Sequence, residues 1–398
     1  MPTHLRLRLA ALMFLHCAVG GAWLPIFALY LQQDMHFSVR QVATIFGVMP
    51  VARMVAPLIG GQLADRHFAL QRLLGVLYLL GGVVLWLMAG HAGFGLFAAW
   101  VFLYSMLGCQ VESLSTALTF RHLPDPARDF GPVRVWGTIG WIVSGFVLSG
   151  WRWLHGSQGG SDSLQLAAGI SVLVGIFCFT LPHTPPIRNG NPWAFVEAFR
   201  LLRNRNFVVF MGLAFVASSQ LQYFSQISAP YLHRLGVSGA SLPLAFTIGQ
   251  WSEIVAMAVL MPLAVPRLGI RNCLLIGALA WPLRCLIYAT GPLWLILASL
   301  ALNGISFTFF SIVGQVYVND VAGKDIRASA QSLLMLVTSG LGSCLGAFLA
   351  GAVQAHFTVG AGALANVDYS RVFLVPAGVL LAGVVVFAVL FREPKRAL

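Results

Sequence analysis

Ionisable side chains inside long apolar stretches are the residues of this chain that most need a chemical explanation. A charge at the centre of a bilayer is costly unless it faces a cavity or a partner, so such residues are candidates for function. The ionisable residues well inside apolar stretches are Glu112, Glu253, Arg53, Arg134, Arg284 and His16. A structural role is favoured for Glu112, Arg53 and Arg284, and His16 alone does not make a proton relay.

Glu253 is the strongest candidate for coupling transport to protons. It lies three residues after Gln250, so both side chains can point from one face of a helix. Desolvation disfavours the charge of a buried carboxyl, which lets such a group take up a proton on one side of a membrane and release it on the other. The alternative is a protonated structural carboxyl bonded to a neighbouring helix.

A second candidate group follows helical spacing. Thr138 and Trp141 lie four and seven residues after Arg134, so the three can line one helix face. A guanidinium, a hydroxyl and an indole suit a polar aromatic solute. The alternative is that Arg134 sits at a membrane surface and pairs with Asp129.

The third group is a polar turn that contains Gln220, Gln222, Ser225 and Gln226 and precedes Pro230. Proline lacks the amide that a helix would use, so it can loosen the helix there. Amides can donate and accept hydrogen bonds to a solute, although they can equally bond one helix to the next.

Helices that span a membrane must position these groups. Of the 398 residues 58% are hydrophobic and 9% are charged, which predicts an all-α membrane protein. Apolar stretches of about twenty residues favour helices over the short alternating strands of a barrel. The twelve predicted spans are 7–31, 41–64, 70–90, 93–120, 131–154, 163–181, 207–232, 238–265, 271–290, 292–319, 327–356 and 369–391.

Basic residues alternate between the loops. One set of loops holds 17 Lys and Arg and the other holds four, with three more inside spans, which accounts for all 24. Such an excess marks the cytoplasmic side, so both termini are predicted to be cytoplasmic in a multi-pass protein of the inner (plasma) membrane. The net charge of +12 is therefore explained by topology, and nucleic acid is not an expected partner.

The longest polar connection divides the spans six and six. The predicted domains are an N-terminal half at 1–181, a cytoplasmic linker at 182–206 and a C-terminal half at 207–398. Short basic joints at 61–66 and 267–271 follow the second helix of each half. Two six-helix halves are typical of the major facilitator superfamily, and the joint at 61–66 resembles the loop motif of that superfamily.

The chain resembles the nucleoside:proton symporter family of that superfamily, which is related to the oligosaccharide and phenylpropionate permeases. The segments that support the resemblance are Gly21–Leu24, Arg134–Gly140, Thr180–His183, Gln250 with Glu253, Ala280–Trp281 before Arg284, and Ile326–Gln331.

The resemblance implies a set of solute-binding positions, with proton coupling at Glu253. These positions are Arg134, Thr138, Trp141, Gln222, Ser225, Gln250, Glu253 and Phe307. Three positions depart from the family pattern. Ser225 replaces an asparagine, Trp141 a phenylalanine, and Thr308 an acid that contributes to proton coupling, so the proton would rest on Glu253 alone.

The predicted function is secondary active, proton-coupled uptake of nucleosides by alternating access. The expected partners are a small nucleoside-like solute, protons and membrane lipid, and the chain is expected to act as a monomer. No catalytic motif and no Cys/His metal spacing is found, so no enzyme activity, cofactor or metal is predicted. A permease for a sugar or an aromatic acid, and a non-transporting membrane receptor, are the alternatives.

Overall fold

The computed structural model describes residues 3–66, 69–90, 93–124, 126–156, 160–185, 199–322, 326–360 and 366–392. Within these ranges the side chains of 57–66, 126–128 and 328 are not described. The predicted loop motif at 61–66, most of the predicted linker and the basic tail at 393–398 therefore lie outside the described side chains.

The N-terminal part of the chain consists of helices, all but one of which have 18 to 30 residues. They are α1 Thr3–Trp23, α2 Phe27–Gln33, α3 Val39–Arg66, α4 Leu70–Met88, α5 Phe94–His122, α6 Pro126–His155 and α7 Ser161–Cys178. A 3-10 turn, Leu24–Ile26, joins α1 to α2 and contains Pro25, whose missing amide interrupts the α-helical hydrogen bonds.

The C-terminal part begins with a 3-10 turn, Phe199–Arg203, and continues with helices of 5 to 30 residues. They are α8 Arg205–Arg234, α9 Leu242–Val255, α10 Met261–Thr290, α11 Leu293–Ser299, α12 Leu302–Ser306, α13 Val313–Val321, α14 Arg327–Met335, α15 Ser343–His356 and α16 Tyr369–Leu390. Three π-helical segments, Ala256–Leu260, Phe307–Ile312 and Leu336–Gly342, connect α9 to α10, α12 to α13 and α14 to α15.

A short antiparallel hairpin precedes α16. Thr358–Val359 pairs with Asn366–Val367, with Thr358 opposite Val367. The sequence predicted only helices and left this connection unassigned.

Eleven stretches of the described residues are long and apolar enough to cross a membrane, whereas the sequence predicted twelve. The difference arises at Leu242–Thr290, where one stretch of 49 residues covers two predicted spans. Gly269 interrupts it with φ 76° and ψ 169°, a backbone conformation that is open to glycine. Two helices therefore meet at Gly269, which lies within the basic joint predicted at 267–271.

Contacts between residues divide the chain into two compact units. Unit one consists of Met1–Gly190 and Leu232–Thr247, and unit two consists of Asn191–Tyr231 and Ile248–Leu398. The sequence placed residues 232–247 with the C-terminal half, whereas their contacts group them with unit one.

Helices α1 and α6 of unit one pack backbone to backbone. A Cβ added to Gly21 would lie 2.8 Å from the Cα and the carbonyl oxygen of Trp141, and one on Gly140 would overlap the carbonyl of Phe14. Small residues permit such close crossings of membrane helices. This crossing fixes the position of α6 relative to α1.

A buried ion pair holds one end of α6. Nε of Arg152 donates to Oδ2 of Asp162 at 2.8 Å, and Nη2 donates to Oδ1. Nη1 of Arg152 donates to the carbonyl oxygen of Gly239 at 3.0 Å, also within unit one. Because the arginine is only 4% exposed, these bonds replace its lost hydration.

Candidate solute-binding site

The predicted site residues are shared between the two units. Arg134, Thr138 and Trp141 belong to unit one, and Gln222, Ser225, Gln250, Glu253 and Phe307 belong to unit two. Each set has its own local geometry.

Unit one contains a cavity of about 360 Å³. Both Arg134 and Trp141 line this cavity, whereas Thr138 is buried in α6 and does not line it. The size lies within the range of small-molecule sites. A guanidinium and an indole in one wall can donate hydrogen bonds to a planar solute and stack on its ring.

Arg134 is directed toward α1. Its Nη1 lies 3.8 Å from Sγ of Cys17, a weak hydrogen bond. The structure shows no ion pair between Arg134 and Asp129, although it describes both residues, so the membrane-surface pairing considered from the sequence is absent. The guanidinium is therefore available to a solute in the cavity.

Gly137 makes room for this orientation. A Cβ at Gly137 would lie 2.6 Å from Nη1 of Arg134 and 2.8 Å from Sγ of Cys17. Real Cβ atoms essentially never show such distances. The glycine three residues after the arginine is thus a steric requirement of the side chain and not only a helix-packing residue.

Three further ionisable residues line the same cavity. Arg53, Glu112 and His16 lie in its wall, beside Tyr78 and the two cysteines Cys17 and Cys109. The sequence favoured structural roles for Arg53 and Glu112. Their shared cavity is a tertiary feature for which helical periodicity gives no signal.

In unit two the polar turn of α8 separates into two groups. Gln220 and Gln226 are buried, and their amides donate to Oγ of Ser219 at 2.9 Å and to the carbonyl of Ala347 at 3.2 Å. Gln226 thus bonds α8 to α15 and matches the helix-linking alternative, whereas Gln220 bonds to its own neighbour on α8. Gln222 is half-buried and Ser225 is exposed, so these two remain open to a solute.

Glu253 lies beside a close crossing of α9 and α12. A Cβ on Gly304 would overlap the backbone amide of Glu253 and Oγ of Ser252, and the Gly304 amide donates to that hydroxyl at 3.1 Å. Ser252 in turn donates to the carbonyl of Gly249 at 2.7 Å. The backbone of the half-buried Glu253 is thus in close contact with Gly304 of α12, and the preceding residue, Ser252, bonds to both Gly304 and Gly249.

Gln250 lies on α9, and Phe307 directly follows α12. Oε1 of Gln250 is buried and has no hydrogen-bond partner among the described residues. Phe307 is half-buried and begins the π-helical segment Phe307–Ile312, a type of distortion that is frequent at functional sites. An unsatisfied amide oxygen next to Glu253 is suited to a donor on a solute or a water.

Thr308 is the position at which the resemblance implies an acid. It is fully buried, and its hydroxyl has no partner among the described residues. A hydroxyl does not change charge at physiological pH, so it cannot replace a carboxyl as a proton carrier.

Arg284 lies close to this crossing and is almost fully buried. Its guanidinium lies 4.0 Å from the ring centre of Phe224 and 5.4 Å from that of Tyr288. Nη1 donates to Oδ1 of Asn303 at 3.4 Å, and Asn303 precedes Gly304. Cation–π contacts of this kind partly replace the hydration of a buried arginine.

Comparison with known proteins identifies the family. The family model described as nucleoside H+ symporter matches residues 1–396, almost the whole chain. The chain belongs to the nucleoside H+ symporter family.

Named relatives and a solved structure are 25% to 31% identical to this chain. The putative nucleoside transporter YegT of Escherichia coli (strain K12) is 31% identical over 87% of this chain and 84% of its own length. Nucleoside permease NupG of the same strain is 26% identical over 98% and 96%. The crystal structure of a mutant of nucleoside transporter NupG matches with a TM-score of 0.87 and 25% identity, over 98% of this chain and 100% of that chain.

These matches confirm the resemblance inferred from the motifs. The chain is a multi-pass membrane transporter of a proton-coupled nucleoside family, and the family consists of transporters rather than enzymes. The fold is mostly helical and matches that of a transporter.

Proposed function

We propose that this chain imports nucleosides together with protons across the inner membrane by alternating access. The observation that supports this most is the family match over residues 1–396. The intramembrane Glu253, three residues after Gln250 with its unsatisfied amide oxygen, supports the coupling mechanism.

The proposed topology has twelve spans, with halves at 1–181 and 207–398 and a linker at 182–206. The stretch Leu242–Thr290 supports twelve rather than eleven, because 49 residues of helix would extend about 74 Å, more than twice the hydrocarbon thickness. A break at Gly269 lets it cross twice. The 17-to-4 distribution of basic residues supports cytoplasmic termini.

The proposed solute-binding residues are those predicted from the resemblance, with the exception of Thr138. Arg134 and Trp141 are supported by the cavity that they line, and Gln222 and Ser225 by their open side chains. Thr138 is proposed as a helix-packing neighbour of this group because it is buried. The chain is proposed to act as a monomer surrounded by lipid.

Uptake in proteoliposomes tests the proposal. The wild-type chain should accumulate labelled uridine or adenosine when an inward proton gradient is imposed, and excess nucleoside should block uptake while glycosides and phenyl acids should not. The Glu253→Gln chain should equilibrate nucleoside without concentrating it, because the amide cannot exchange a proton. Asp320→Asn, which removes an exposed carboxyl at the end of α13, is the matched control. Accumulation by Glu253→Gln would contradict coupling at this residue.

A further inference from the structure

The cavity of unit one contains a histidine that the proposed solute contacts do not use. Nδ1 of His16, on α1, lies 2.8 Å from the hydroxyl of Tyr78, on α4, and both residues line the cavity. The two rings meet edge to face, with their centres 6.3 Å apart. Among the described residues this is the one hydrogen bond made by the imidazole.

Tyr78 is a rigid support for this contact. Its side chain is 3% exposed, and its carbonyl accepts a hydrogen bond from Oγ of Ser171, on α7, at 2.8 Å. Ser171 therefore holds the backbone of α4 at this point, burial restricts the phenol, and the phenol orients Nδ1 of His16. Nε2 is the ring nitrogen that remains for a ligand.

The His16–Tyr78 pair can offer a solute either a hydrogen-bond donor or an acceptor at Nε2. If the phenol donates to Nδ1, then Nε2 has the proton and donates; if Nδ1 donates to the phenol oxygen, then Nε2 accepts. A hydroxyl group is both donor and acceptor, so it can bond to Nε2 in either state. A carbonyl or an amine would fit only one of them.

The surroundings of the pair favour a polar but neutral group. Arg53 and Arg134 contribute positive charges to the cavity wall and Glu112 a negative one. Oγ of Ser105 is buried in the same wall and has no partner among the described residues. Unsatisfied polar atoms in a cavity indicate a ligand or waters with hydrogen-bonding groups.

We propose that His16, held by Tyr78, is a specificity-determining residue that binds a ribose hydroxyl of the transported nucleoside. This inference rests on the proposed function. Arg134 and Trp141 suit the planar base, and His16 lines the same cavity as these two residues, where it would meet the sugar that is joined to the base. A site built to bond a hydroxyl rejects analogues that lack it, because its own polar atoms are left unpaired.

Competition against labelled uridine uptake tests the inference in proteoliposomes of the full chain. In wild type, 2′,3′-dideoxyuridine should inhibit about five- to tenfold less well than uridine, the loss expected for a neutral hydrogen bond. In His16→Phe the ratio should approach one, while His16→Gln, which keeps a donor and an acceptor, should restore discrimination. Tyr78→Phe should give an intermediate ratio. His155→Phe, a histidine stacked on Trp151 away from the cavity, should keep the wild-type ratio.

A second measurement uses the unsubstituted protein, in case the variants do not fold. Cys17 and Cys109 line the cavity, so nucleoside should slow their alkylation as followed by peptide mass spectrometry. Half-protection should need about five- to tenfold more dideoxyuridine than uridine, by the same loss of a hydrogen bond.

The outcomes separate the two proposals. Equal potency of the two nucleosides in wild type, or an unchanged ratio in His16→Phe, would overturn the role of His16 while nucleoside transport stands. Absence of both uridine uptake and uridine protection in wild type would instead overturn the proposed function.

Discussion

The guanidinium of Arg134 lies in the space that a side chain on Gly137 would occupy. The two residues are three positions apart on α6, and Nη1 of Arg134 lies 2.6 Å from an ideal Cβ of Gly137. Cys17 of α1 closes the other side of this space. The orientation of the arginine therefore depends on a missing methyl group.

Gly137→Ala should weaken nucleoside uptake by displacing Arg134. The flexible arginine yields more easily than the helix, so the chain should still fold while its KM rises roughly tenfold or more, the loss expected for a charge-assisted hydrogen bond. Gly131→Ala is the matched control, because a Cβ there meets nothing within 4 Å. Initial rates of uridine uptake give the KM of each variant. An unchanged KM in Gly137→Ala would contradict a solute contact by Arg134.

Thr308→Val should leave proton-coupled accumulation intact. The hydroxyl of Thr308 is buried without a partner among the described residues, so its removal breaks no hydrogen bond. Since coupling is proposed to rest on Glu253, the uptake driven by a pH gradient should stay within about twofold of wild type. The comparison is made beside Glu253→Gln in the same vesicles. Loss of accumulation in Thr308→Val would show that this position takes part in coupling despite lacking an acid.

Gly304→Ala should destabilise unit two. Its Cβ would overlap Ser252 and the backbone of Glu253, and forcing atoms into a packed contact costs about 1–3 kcal/mol. Thermal unfolding in detergent should show a lower Tm. Gly212→Ala, on α8, is the control because a Cβ there meets nothing within 4 Å. An equal Tm for the two variants would mean that the α9–α12 crossing is looser than described.

Asp162→Asn should lower the free energy of unfolding far more than a substitution that breaks an exposed ion pair. It leaves the buried Arg152 uncompensated, which costs about 3–5 kcal/mol, whereas removal of both charges costs less. Arg371→Gln breaks the exposed pair with Asp368 and should cost at most about 1 kcal/mol. A double-variant cycle with Arg152→Met, followed by thermal unfolding, measures the coupling, and additive effects would exclude a stabilising interaction between the two residues.

The class of protein could be predicted from one-dimensional features. Long apolar stretches, the alternation of basic loops and the motif around Arg134 predicted a multi-pass transporter of the nucleoside:proton symporter family, and the family match confirms it. These features are visible in sequence because a bilayer sets the length and polarity of each span independently of its neighbours.

The roles of individual polar residues could not be predicted in this way. Gln220 and Gln222 have the same chemistry and lie in one turn, yet the first is bonded to Ser219 and the second is open. Helical spacing identifies the face on which a residue lies, but not which helix packs against that face.

The sequence by itself determined that most of this chain lies in lipid and to which family it belongs. It also identified the few ionisable residues that lipid cannot accommodate. Only the tertiary structure decided that Arg53, Glu112 and His16 share a cavity with Arg134. It also decided that Cys17 of α1 packs against Gly137 and that Ser252 of α9 packs against Gly304. The physical reason is that membrane spans are selected by local hydrophobicity, whereas cavities and close crossings depend on which side chains of separate helices meet.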